Sequence, residues 1–101
     1  MAVAQPPNLY FKKINTGNGL SHNKVNCIVQ DKRGFTWIGT DDGLNRYDGN
    51  NFLIFRNTPG SATGISGNII TGLLEDEKGI LWITTSDGGL TRYDYRLPAA
   101  Q

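Results

Sequence analysis

Asp31-Lys32-Arg33-Gly34-Phe35-Thr36-Trp37-Ile38-Gly39-Thr40 recurs further along the chain as Asp76-Glu77-Lys78-Gly79-Ile80-Leu81-Trp82-Ile83-Thr84-Thr85, at an offset of 45 residues. Upstream, Gly19-Leu20-Ser21-His22-Asn23 falls on Gly64-Ile65-Ser66-Gly67-Asn68. Downstream, Asp42-Gly43 falls on Asp87-Gly88. One additional glycine, Gly89, then shifts the frame, and Leu44, Arg46, Tyr47 and Asp48 correspond to Leu90, Arg92, Tyr93 and Asp94. Between residues 19 and 48 this makes 14 identities in 30 positions. Chance would supply about two, so the chain is read first as an internal repeat.

Each unit consists of short apolar runs bounded by turn signals. In the first unit the runs are 25–30, 35–40, 44–47 and 52–55, separated by Asp31-Lys32-Arg33-Gly34, Asp41-Asp42-Gly43 and Asp48-Gly49-Asn50-Asn51. β-Branched and aromatic residues fill the runs, and Asp, Asn and Gly supply the turn conformations that tight hairpins need. The pattern predicts an all-β chain in which one unit is a four-stranded antiparallel meander. Neighbouring apolar residues such as Ile28 and Val29, or Leu73 and Leu74, point to opposite faces of a strand, so both faces are to be covered. A repeated meander of about 45 residues buried on both sides predicts β-propeller blades. Trp37 and Trp82 are then expected as wedges between blades, and Gly34 and Gly79 as the turn residues before them. Helical arrays are excluded by the Gly/Asp turns; a single β-sandwich is the alternative on strand content alone.

Composition limits the functional classes. The 101 residues include 13 glycines and 4 prolines, which leaves no room for a long helix or a membrane-spanning apolar run. Ten basic and nine acidic residues are interspersed, without the basic patch of a nucleic-acid or anionic-membrane binder. Cys27 is the single cysteine, so it forms no internal disulfide and joins no zinc cluster; it is expected as a small core residue. Residues 1–7 lack the charged-then-apolar pattern of an intact signal peptide.

The second unit stops early: Tyr93-Asp94-Tyr95 leads to Arg96-Leu97-Pro98 and small residues rather than to a fourth apolar run. A matching run stands at the other end, where Tyr10-Phe11-Lys12-Lys13-Ile14-Asn15-Thr16 is similar to Phe52-Leu53-Ile54-Phe55-Arg56-Asn57-Thr58. The expected organisation is therefore a flexible stretch 1–8, an exchanged outer strand 9–16, blade one 19–57, a three-stranded blade two 64–95 and a tail 96–101. Propellers use about 4–8 blades, so two do not close a ring. The missing surface is expected from further blades of a longer chain, or from copies of this one in a head-to-tail ring of three or four.

The string Gly-Leu-Ser-x-Asn-x-Val, Gln-Asp-x-x-Gly-x-x-Trp-Ile-Gly-Thr-x-Asp-Gly-Leu-Asn-Arg-Tyr-Asp over residues 19–48 resembles the two-component regulator propeller repeat. Residues 64–94 resemble it too, with Ile65 for Leu and Thr84 for Gly. The resemblance implies the periplasmic sensor region of a hybrid two-component histidine kinase of Bacteroides-like bacteria, many of which respond to glycan breakdown products. It also implies a signal-transduction role for a noncatalytic, two-blade N-terminal segment without its kinase, and an oligosaccharide as ligand. The Asp31-x-x-Gly34-x-x-Trp37 hairpin further resembles the Asp-box of sialidase propellers, where the box is structural. Similar blades occur in the streptogramin-lyase family, which needs catalytic His and Glu with magnesium; a lone His22 fits that poorly.

The residues themselves show no catalytic constellation, no cofactor motif and no metal-ligand spacing. His22 sits in a Gly/Ser/Asn turn, not on a helix. Asp41-Asp42-Gly43 and Ser86-Asp87-Gly88-Gly89 are explained by turn chemistry and fall short of a six-to-eight-oxygen calcium site. If a ligand is bound, propeller architecture points to the connections that share one face near the axis. Those hold His22, Asn23, Lys24, Asp41, Asp42, Asn68 and Asp87, polar groups suited to hydroxylated ligands.

Overall fold

Strand pairing follows the turn chemistry. The computed structural model describes residues 9–61 and 64–97, all-β apart from one short 3-10 turn at Thr16–Asn18. β1 (Val25–Gln30), β2 (Thr36–Thr40), β3 (Gly43–Tyr47) and β4 (Phe52–Phe55) form one antiparallel sheet in that order. β5 (Ile70–Glu75), β6 (Leu81–Thr85) and β7 (Gly89–Tyr93) form a second, three-stranded sheet. Gly34 and Gly79 take positive φ values of 94° and 81° in the β1–β2 and β5–β6 turns, where a side chain would be strained.

Because the register is fixed, each sheet has two defined faces. In the first, Val29, Trp37, Arg46 and Leu53 lie opposite one another, as do Cys27, Gly39, Leu44 and Phe55. Alternation puts these two rows on one side and Ile28, Ile38, Asn45 and Ile54 on the other. The first side packs against the second sheet. Trp37, Leu44, Ile65, Ile70, Leu81 and Ile83 form the buried core, with Cys27, Val29, Phe35, Phe55, Leu73 and Tyr93 around it. Burial raises the Cys27 thiol above its ordinary value, in keeping with a neutral packed sulfhydryl. Trp37 lies between Phe55 of its own sheet and Tyr93 of the other, at centroid separations of 5.9 and 5.6 Å.

The packing is directional. Sheet one presents its Trp37 side, whereas sheet two presents the opposite side, carrying Leu73, Ile83 and Thr91. The Trp82 side of sheet two therefore faces outward, with Leu74 62% and Leu90 58% exposed. Trp82 is only half-buried, because the surface that covers Trp37 has no counterpart over it among the described residues. On the far side of sheet one, Ile28 is 65% exposed.

Residues 9–14, expected as an outer strand, join neither sheet of their own chain, and Thr16 belongs to the 3-10 turn. The N-terminal segment is instead tethered beside sheet one. Thr16 N–H donates to Asn23 Oδ1 at 3.0 Å, and Lys12 Nζ to the Tyr47 hydroxyl at 3.1 Å. Residues 1–8 and the end of the tail, 98–101, lie outside the described residues; Arg96 and Leu97 form a turn closed by Asp94.

The two sheets approach most closely at Gly39, where a Cβ would stand 2.4 Å from Ile70 Cγ2 and 2.5 Å from Cys27 Sγ. Its counterpart Thr84 lies on the outward side. Gly39→Ala is expected to cost about 1–3 kcal/mol by overpacking, read as a lowered denaturation midpoint. Thr84→Ala, by contrast, should stay within about 0.5 kcal/mol.

Candidate functional site

Two aspartates organise the hairpins. Asp31 Oδ1 accepts the backbone N–H of Arg33 at 2.9 Å and of Phe35 at 3.0 Å, while Oδ2 accepts Trp37 Nε1–H at 2.8 Å. One carboxylate thus fastens the turn to the indole that enters the core, and Asp31 is itself only 8% exposed. Asp76 repeats the arrangement with Lys78, Ile80 and Trp82 at 2.9, 3.0 and 3.0 Å. The Trp82 bond leads the causes that hold the Asp76 carboxyl below its ordinary value. These groups are spent on structure and present no reactive geometry.

The loop entering each blade is clasped from beneath. Asn45 is fully buried; its Oδ1 accepts Ser21 N–H at 3.0 Å, and its Nδ2 donates to Ser21 Oγ at 2.8 Å and to Ile38 O at 3.2 Å. Thr40, also fully buried, donates to Gly43 O and accepts Asp42 N–H. In the second blade Thr91 and Ser66 stand in for Asn45 and Ser21. Asn45 was not singled out by sequence reading. Its signal was available: a polar residue inside an apolar strand run.

The seven rim residues gather at one end of the sheets, in two groups. In the first, Asn23 Oδ1 accepts Thr16 N–H, His22 Nδ1 accepts Lys24 N–H at 2.9 Å, and Lys24 Nζ lies 3.6 Å from Asp41 Oδ2. Asp41 Oδ1 also accepts from Asn26 Nδ2 at 2.8 Å, the largest cause of its lowered carboxyl value. The second group spans the junction between the blades. Asn68 Oδ1 accepts Asn57 N–H at 2.6 Å, Gly43 N–H donates to Asn68 O, and Asp87 accepts the N–H groups of Asn68 and Ile69 at 3.1 Å each. Asp42 pairs with Arg56 at 3.3 Å. Asn26 Nδ2, bonded to Ile70 O at 3.0 Å, connects the groups.

Asn68 and Asp87 are therefore occupied in holding loops. Exposed side chains on the rim include His22 and Lys24, the latter 68% exposed, and Asp42, 47% exposed and paired with Arg56, with Asp41 beside them at 32%. A cation and two carboxylates on a polar rim can donate to and accept from hydroxyl groups. Among the described residues no three His, Cys, Asp or Glu side chains converge as a metal site.

At the opposite end of blade two, Asp94 accepts from Arg96 N–H, Nε and Nη2 at 2.8–3.0 Å, and is held down to about 2. Asp48 and Asp87 are lowered mainly by backbone N–H donors. Groups whose native values lie below their unfolded values contribute stability that is present above about pH 4 and is lost as pH falls through the native values. Stability is thus expected to be flat from pH 7 to 5 and to decline toward pH 2, measured by urea unfolding. Asp94→Asn should flatten that decline.

Residues 19–42 and 64–87 each match the Two component regulator propeller family. Histidine kinase P4 of Formosa agariphila is 48% identical over 60 residues, covering 59% of this chain and 4% of that protein. The crystal structure of the extracellular domain of the putative hybrid two component system BT3049 from B. thetaiotaomicron superposes with a TM-score of 0.76. It shares 34% identity and covers 84% of this chain and 12% of that one. The chain thus spans a small part of the proteins it matches.

Proposed function

We propose that this chain, which carries two two-component regulator propeller repeats, is a noncatalytic segment of the ligand-sensing propeller of a hybrid two-component histidine kinase. The observation that carries the reading is the shared fold and 34% identity with an extracellular domain of such a system over 84% of the chain. The similarity to a histidine kinase over 60 residues supports it from the sequence side. In this reading the segment stands on the periplasmic side of the membrane, its phosphotransfer domains are elsewhere in the parent protein, and it completes its ring with further blades.

The ligand class we assign is an oligosaccharide, met at the rim formed by His22, Lys24, Asp41 and Asp42. Lys24 offers donors, the two carboxylates accept from hydroxyls, and both blades bring their connections to this end. The packing of β1 and β2 against β5 supports the assignment, since it brings the loops beside these strands together.

Titration of the parent sensor region with neutral and acidic oligosaccharides, followed by NMR and calorimetry, tests the assignment. Shifts should concentrate on residues 22–24 and 41–42, and Lys24→Ala combined with Asp41→Ala should weaken binding at least about tenfold. Binding undiminished in that variant would remove the rim; absence of binding by every oligosaccharide would remove the ligand class.

A further inference from the structure

We infer that Asn26 is a positioning residue of the rim: its side-chain amide sets the Asp41 carboxylate toward a ligand and at the same time ties that carboxylate to the backbone of blade two. The inference rests on the reading of the rim as the ligand site. Asn26 Nδ2 donates to Asp41 Oδ1 at 2.8 Å and to Ile70 O at 3.0 Å. Both partners are acceptors, so the neighbours fix which way the amide is turned. A primary amide nitrogen offers two N–H donors from one atom, whereas a hydroxyl offers one and a carboxylate none. Among side chains of this length, asparagine is the one that makes such a bridge.

A break in strand pairing aims the side chain. Val25 pairs with Thr40 and Cys27 with Gly39, so Asn26 is the extra residue of a bulge in β1. Such a residue is released from the regular alternation of the strand, and its side chain is re-aimed. Blade two carries the same bulge: Ile70 pairs with Thr85 and Gly72 with Thr84, leaving Thr71 over. There the side chain stays with its own sheet, the Thr71 hydroxyl lying 2.9 Å from that of Thr84.

The two blades separate what the hairpins require from what the rim alone uses. The backbone frame is common to both: Asp41 N–H donates to Lys24 O at 3.3 Å, and Ser86 N–H to Ile69 O at 3.1 Å. So are the structural side chains, since Asp31 and Asp76 make the same turn bonds, and Asn23 and Asn68 each accept a backbone N–H from the connection before them. At the offset of 45 residues, however, His22, Lys24, Asn26 and Asp41 give way to Gly67, Ile69, Thr71 and Ser86. Blade two forms its hairpins without any of the four, so the hairpin does not call for them, and blade one holds them as a set.

Within the set the two carboxylate oxygens have different tasks. Asp41 Oδ1 is taken by Asn26. Oδ2 stands 3.6 Å from Lys24 Nζ, beyond an ordinary hydrogen bond, and is the oxygen left for a sugar hydroxyl. The Asn26 bond leads the causes that hold the Asp41 carboxyl below its ordinary value, and the Lys24 and His22 charges act in the same direction; the group is thereby kept as an acceptor. The other N–H of the amide reaches the backbone of Ile70, a fully buried residue of the core between the sheets. A shift of blade two against blade one therefore moves the anchor of Asp41.

Titration of the Asp41 carboxyl in the full 101-residue chain, followed by carbon NMR, tests the positioning without any ligand. Asn26→Ala should raise the Asp41 midpoint. Asn26→Val, close in shape to the threonine that fills the same bulge in blade two, should raise it too, whereas Thr71→Ala should leave it in place. Hydrogen exchange at Gly43 N–H, which donates across the junction to Asn68 O, should quicken about threefold in Asn26→Ala. In the parent sensor region the same substitution should weaken oligosaccharide binding about fivefold and have no further effect once Asp41→Ala is present. An unmoved Asp41 midpoint overturns the positioning role, and unchanged exchange at Gly43 overturns the tie to blade two. Equal losses of binding with and without Asp41 overturn action through that carboxylate. Absence of binding by every oligosaccharide removes the ligand reading and leaves the titration and the exchange to decide this inference.

Discussion

A sheet with apolar side chains on both faces has to be covered twice, and this constraint shapes the molecule. The Trp37 side of the first sheet covers the Ile83 side of the second. That single contact leaves one apolar face outward at each end of the pair. Apolar surface of this kind is unfavourable in water. The proteins matched are many times longer than the chain.

The stacking depends on a polar device. A bulky indole buried between sheets carries an N–H that would be costly without a partner. Asp31 supplies it and at the same time satisfies the turn that delivers the strand. The carboxylate is thus useful only where hairpin and tryptophan occur together, which explains why Asp, Gly and Trp recur as a set at Asp76, Gly79 and Trp82. The same economy governs the rim, where Asn68, Asp87 and Asn23 hold loops and leave Lys24, Asp41 and Asp42 to meet solvent.

Much of this was legible in the residues. β1 and β4 coincide with the runs 25–30 and 52–55, and β2 and β3 differ from theirs by one residue each, because Gly and Asp mark hairpin ends with little ambiguity. The rim residues were assigned to one face by analogy with propeller architecture, in which alternate connections share an end. Their division into occupied and solvent-facing groups could not be read that way, since it depends on which N–H groups the neighbouring blade brings within reach. Asn45 escaped notice for a related reason: a buried asparagine and an exposed one are the same letter, and only the folded-over Ser21 loop distinguishes them.

The amino-acid order alone determined that the chain is a tandem pair of antiparallel meanders with both faces apolar, since alternation and turn chemistry are local properties. Which face of one sheet meets which face of the other was decided only in three dimensions. The contacts that fix such an arrangement, among them the Thr16 N–H bond to Asn23 Oδ1 and the Asn57 N–H bond to Asn68 Oδ1, join residues that sequence spacing leaves unrelated.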